Sequence, residues 1–105
     1  MFFYTLNLIY MVGCYIIFSE KLNRFYIGAT QEGMENRLAA HNSAKYGKSH
    51  FTSHTNDWTL FLFIPTSNFA KAIRIERKIK SMKSMIYIRN LEKYPEMVDK
   101  LVSST

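Results

Sequence analysis

The chain has 105 residues, a formal net charge of +6 and one cysteine, Cys14. That length holds one domain, and eight phenylalanines, seven tyrosines and one tryptophan can fill its core without staples. A lone cysteine excludes an internal disulfide framework. It fits a small buried side chain in a reducing, cytoplasmic compartment, with no basic group placed to make it a nucleophile.

Met1 to Phe18 carry no charge. A signal peptide or membrane span is disfavoured, because no Lys or Arg precedes the run, no small-residue cleavage site follows it, and Asn7, Gly13 and several tyrosines interrupt it. Residues 1–10 read as an apolar N-terminal extension, with Met11 an alternative start. The domain proper reads as residues 11–102, and 103–105 as a frayed tail.

Gly13 to Gly28 read as a β-hairpin, two apolar β-prone runs around a polar centre from Ser19 to Arg24. A turn centred between Glu20 and Lys21 would set Tyr15 directly opposite Tyr26, with Cβ atoms roughly 5 Å apart. Either the pair packs a core, or two phenolic hydroxyls meet for chemistry. After Thr30-Gln31-Glu32-Gly33, Met34, Leu38 and His41 recur at helical spacing, with acids in the first turn. Arg37 and His41 share that face, where an inward cation and imidazole are costly without partners. An arginine reaching to the edge and a satisfied core histidine are the plainer reading.

Asn42 to Asp57 form a polar loop with Lys45, Lys48, His50 and His54 interleaved with Tyr46 and Phe51. Cations, hydroxyls and aromatics in that mix suit a phosphate backbone with splayed bases. Without cysteine or a nearby carboxylate beyond Asp57, metal ligation by His50 and His54 is disfavoured. Trp58 to Ile64 read as a buried strand ended by Pro65. A helix over about Phe69 to Met82 follows, capped by Ser67 or Asn68. Its core stripe is Phe69, Ala72, Ile73, Ile75, Ile79 and Met82, and Glu76 falls inside that stripe. An inward carboxylate needs a cation, for which Arg37 or a divalent ion are candidates. Lys71 to Arg89 hold seven basic residues against Glu76 alone, a block that attracts polyanions, nucleic acid first and anionic membrane second, unless it is simply a solvated face. Two short helices complete the chain, with a break near Pro95.

With these residues collected, the chain resembles the GIY-YIG nuclease family. Gly13-Cys14-Tyr15 stands at its first motif and Tyr26-Ile27-Gly28 at its second. Arg37 matches the helix-borne arginine, His41 the His-or-Tyr position one turn later, Glu76 the metal-binding glutamate and Asn90 the late asparagine. The resemblance covers about Gly13 to Leu101 and is nearest to small stand-alone members related to the nuclease module of the bacterial excinuclease C subunit. It implies an α+β fold, a three-stranded antiparallel sheet flanked by helices. It also implies hydrolysis of DNA phosphodiester bonds, structure- or damage-directed, with one Mg²⁺ or Mn²⁺ on Glu76. Arg37 would clamp the scissile phosphate. One tyrosine would activate water, supported by the other or by His41, and Asn90 would be a supporting contact.

Lys45, Lys48, His50, Arg74, Arg77, Lys78, Lys80 and Lys83 would contact DNA. Neither a small-molecule cofactor nor a membrane partner is expected, and a monomer is the default. The sequence departs from the family at Ala29, where some relatives carry lysine, a role Lys45 or Lys80 could take, and at Met85, where close relatives tend to have arginine. Rival readings are a non-catalytic nucleic-acid-binding module on this scaffold and a membrane-associated interaction protein.

Overall fold

The computed structural model describes residues 11–43, 47 and 50–105. The expected residues 1–10 extension, with Lys45, Tyr46 and Lys48, lies outside them. Strands β1 (Gly13–Ser19) and β2 (Arg24–Thr30) form an antiparallel hairpin. Helix α1 (Glu35–Asn42), a 3₁₀ turn (Phe51–His54), strand β3 (Thr59–Pro65), and helices α2 (Phe69–Met82), α3 (Met85–Lys93) and α4 (Pro95–Ser103) follow. The sheet order is β2-β1-β3, all antiparallel, so the fold is the α+β arrangement expected.

Order, not composition, decides which strand is buried. β1 lies in the centre and both its faces are covered, so Cys14 to Ile17 are all 0% exposed. β3, expected as a buried strand, is an edge: Thr59 and Leu60 are exposed, and Pro65 closes it at a position where the missing amide costs no ladder bond.

Alternation along β1 sorts the core in two. Cys14 and Ile16 face Ile75 and Ile79 of α2, Ile88 and Leu91 of α3, and Leu101 of α4. Tyr15 and Ile17 face Met34, Leu38 and Trp58 on the other side. Burial pushes the Cys14 thiol up to about 12, with Glu76 adding to the rise and Lys80 opposing it, so this thiol is inert.

The hairpin register differs from the expected one by two residues. Tyr15 pairs with Gly28, and Tyr26 with Ile17. The connecting loop, Glu20 to Asn23, is centred between Lys21 and Leu22, with Asn23 in the left-handed region at φ 51°. Ser19 Oγ accepts the Leu22 amide at 3.1 Å and donates to Asp57 at 2.6 Å, while Asp57 also accepts the Lys21 amide at 3.0 Å. Those bonds hold the Asp57 carboxyl well below the usual carboxylate range, the Ser19 bond first. A slip of two preserves the face, so the tyrosines remain on the same side as diagonal neighbours.

The expected boundaries of α2 hold, and Asn68 caps it by accepting the Lys71 amide at 2.8 Å. Its stripe is narrower than expected: Ala72, Ile75 and Ile79 are buried, whereas Met82 is 51% exposed at the last turn. Pro95 opens α4 at its first turn. Residues 103–105, expected to fray, are hydrogen-bonded: Ser104 donates to Lys100 O at 3.0 Å and Thr105 Oγ1 to Leu101 O at 2.6 Å. Among the described residues, no helix is long and apolar enough to cross a membrane.

Candidate active site

An absent side chain makes room for the first tyrosine. A Cβ on Gly28 would lie 2.5 Å from Tyr15 Cζ, so the phenol ring rests directly on the Gly28 backbone of the neighbouring strand. A Cβ on Gly13 would lie 2.7 Å from Phe63 Cζ on β3. The glycines of the two motifs are therefore packing requirements of the sheet centre.

Tyr15 is 0% exposed, and its hydroxyl sits 2.7 Å from His41 Nε2. His41, itself 1% exposed, places Nδ1 2.8 Å from Thr52 Oγ1, which is 3.0 Å from His50 Nδ1. So the inward histidine of α1 is satisfied, by partners from a strand and from the polar loop.

The Tyr26 ring is only half-buried. Its centroid is 6.4 Å from that of Tyr15, 4.9 Å from His41 and 5.7 Å from His50, and Phe51 stacks beside it at 6.5 Å. Arg37 places its guanidinium carbon 5.8 Å from the Tyr15 centroid and donates to Ala29 O at 3.4 Å. It also lines a cavity of about 210 Å³ with Ala29, Thr30 and Phe69, so its cation borders open space.

β2 is the other edge of the sheet, and α2 packs against it from the opposite face. Lys80 reaches past that edge, its ammonium 5.9 Å from the Tyr26 centroid and 2.6 Å from Glu76 Oε2. The expected cation beside Glu76 is therefore Lys80, one turn on in the same helix, and not Arg37. Among the described residues no group of three or more His, Cys, Asp or Glu converges, so Glu76 stands as a single hard oxygen donor, 20% exposed.

The basic block does not form one surface. Arg74, Arg77 and Lys78 line a groove with Ser104 and Thr105, and Lys78 donates to Ser104 O at 3.3 Å, capping the end of α4. Arg89 lies over the Phe18 and Phe25 rings at 5.5 and 5.2 Å. Lys83 takes the left-handed cap of α2, and Asn90 is half-buried on α3, its carbonyl accepting the Tyr94 amide at 2.8 Å.

Residues 11–88 match the family model described as the GIY-YIG catalytic domain. The chain belongs to the GIY-YIG family. No curated protein and no solved structure gives a significant match. GIY-YIG is a nuclease family, and Tyr15, Tyr26, Arg37, His41 and, through Lys80, Glu76 are brought together here; Asn90, which also carried the resemblance, bonds instead within its own helix end.

Sequence reasoning missed two contributors, Thr52 and Asn42, and had Phe51 only as one of the loop's aromatics. Thr52 joins His41 to His50. Phe51 stacks on Tyr26. Asn42 brackets Trp58, donating to its carbonyl at 3.0 Å and accepting its amide at 2.7 Å, which ties α1 to the start of β3. Each is a polar or aromatic residue whose partner is distant in sequence, so no local pattern marks it.

Burial, the Arg37 cation and the His50 ring together lower the His41 pKa from 6.5 to about 4. The folded value lies below the unfolded one, so on acidification the unfolded chain takes the proton first. Stability is complete above pH 6.5 and is lost as pH falls through 6.5 towards 4, by up to about 3 kcal/mol. Besides Arg37 and His50, Tyr15, Tyr26 and Thr52 face His41 among the described residues. Urea midpoints at pH 7 and pH 4.5 should differ by more in the native chain than in His41→Asn; equal differences would contradict this origin.

Proposed function

We propose that this chain is a divalent-metal-dependent DNA endonuclease of the small stand-alone type, allied to the nuclease module of excinuclease C and directed by DNA structure or damage. The observation that carries the reading is the meeting of Glu76, Lys80 and Tyr26 at the β2 edge, next to the cluster that holds Arg37. A single accessible carboxylate suits Mg²⁺ or Mn²⁺, which take water and substrate phosphate oxygens for their other positions. When bound by Glu76, such an ion supplies electrostatic stabilisation of the leaving oxygen.

The chain's own residues supply the rest. Arg37, at the edge of its cavity, offers a forked guanidinium to the scissile phosphate and offsets charge on its oxygens. Tyr26 is the water-activating tyrosine, because its ring is half-buried while Tyr15 is sealed from solvent and bonded to His41. A free phenol ionises near pH 10, so a general base of this kind requires adjacent positive charge. Lys80 provides it, in place of the lysine that Ala29 lacks. Tyr15 and His41 hold the ring array, and Asn90 is a supporting contact. DNA would meet the domain through Lys45, Lys48 and the basic residues of α2.

Supercoiled plasmid and branched DNA, incubated with the chain and Mn²⁺, test the reading. Cleavage that disappears in Glu76→Ala and Arg37→Ala supports it. DNA binding without nicking in the native chain would make it a binding module on a nuclease scaffold and overturn the proposal.

A further inference from the structure

The polar chain beneath the tyrosines has a direction. His50 Nδ1 lies 3.3 Å from the Thr52 amide, and a backbone N–H can only donate. His50 Nδ1 is therefore an acceptor and carries no proton. The Thr52 hydroxyl lies 3.0 Å from that same nitrogen and 2.8 Å from His41 Nδ1, and its one proton can go to either. Given to His50, it leaves hydroxyl lone pairs facing His41 Nδ1, which would then be the protonated nitrogen. A neutral imidazole has one N–H, so His41 Nε2 would then be bare and accept the Tyr15 hydroxyl proton at 2.7 Å.

We infer that Thr52 is a positioning residue that fixes the His41 tautomer, so that Tyr15 donates to His41 and its ring is locked over Gly28 between Arg37 and Tyr26. The effect on chemistry, which rests on the nuclease reading above, is indirect: Thr52 touches neither Tyr26 nor Arg37, and acts through the two rings it orients. The 1% exposure of Thr52 shows that the hydroxyl is no surface contact. It is bonded on both sides within the fold, by residues from α1 and from its own turn. A threonine kept only to pack would be replaceable by valine. This one would not be.

Long-range proton–nitrogen NMR on the ¹⁵N-labelled full chain reads the tautomer directly, with the His41 signals identified by their loss in His41→Gln. At pH 7 the native chain should show His41 protonated at Nδ1. Thr52→Val, equal in shape but lacking the hydroxyl, should shift His41 towards Nε2 protonation and slow plasmid nicking about 10- to 100-fold. Thr52→Ser should keep both tautomer and rate, and it supplies the comparison should Thr52→Val fold poorly. His41 protonated at Nε2 in the native chain, or Nδ1 protonation undisturbed in folded Thr52→Val, overturns the inference. An unreactive native chain whose tautomer follows Thr52 supports the positioning role and overturns the nuclease reading alone.

Discussion

Tyr26→Phe should lower the rate of DNA cleavage by about 10² to 10⁴-fold while shifting stability by no more than about 0.5 kcal/mol. The hydroxyl is removed from a half-buried ring whose stacking against His41, His50 and Phe51 does not depend on it. Tyr15→Phe should behave in the opposite sense. Its hydroxyl is buried against His41 Nε2, so its loss leaves a buried acceptor unmade and costs about 1–3 kcal/mol. Its effect on rate is transmitted through ring placement and should be the smaller. Plasmid nicking under Mn²⁺ and urea melts on the two variants decide the matter. A Tyr15→Phe chain that is stable but inactive, beside an active Tyr26→Phe chain, would reverse the assignment.

Gly28→Ala should damage stability and cleavage together through a single added methyl. The new Cβ would lie 2.5 Å from Tyr15 Cζ, and the phenol cannot retreat because its hydroxyl is tied to His41 and its strand is the centre of the sheet. Over-packing of a well-filled core costs about 1–3 kcal/mol, and here the strain falls on a ring that also spaces Tyr26 and Arg37. Loss of stability and of cleavage together is expected. Ala29→Gly, at the next position of the same strand, removes a methyl without any clash and serves as the control. Equal midpoints for Gly28→Ala and the native chain would show that the Tyr15 ring does not rest on Gly28.

The folding logic that joins these residues was partly written in local pattern. Helix α2 was readable to its end residues because a side-chain cap, a 3.6-residue apolar period and a break all lie within one stretch. The inward direction of Glu76 followed from the same period. Its partner did not. Sequence offered Arg37 or a metal as the cation; the side chain paired with Glu76 is Lys80, a neighbour on the helix surface whose reach depends on where the β2 edge ends.

The hairpin shows the division most clearly. Alternation alone placed Tyr15 and Tyr26 on one face, since a strand's side chains repeat every two residues and an even slip cannot change the face. The actual register, Tyr15 with Gly28, was set by Asn23 turning left-handed and by Asp57, more than thirty positions away, gripping Ser19 and the Lys21 amide. Which strand is central, which tyrosine is sealed and which basic side chains point towards the site likewise depend on contacts between segments. By itself the sequence determined the elements and the shared face of the two tyrosines, because those follow from spacing along one strand or helix. Only the tertiary structure decided that Tyr15 is a buried hydrogen-bond partner of His41 and Tyr26 the ring left half-open. That difference is made by neighbours from α1 and the loop closing over one ring and stopping short of the other.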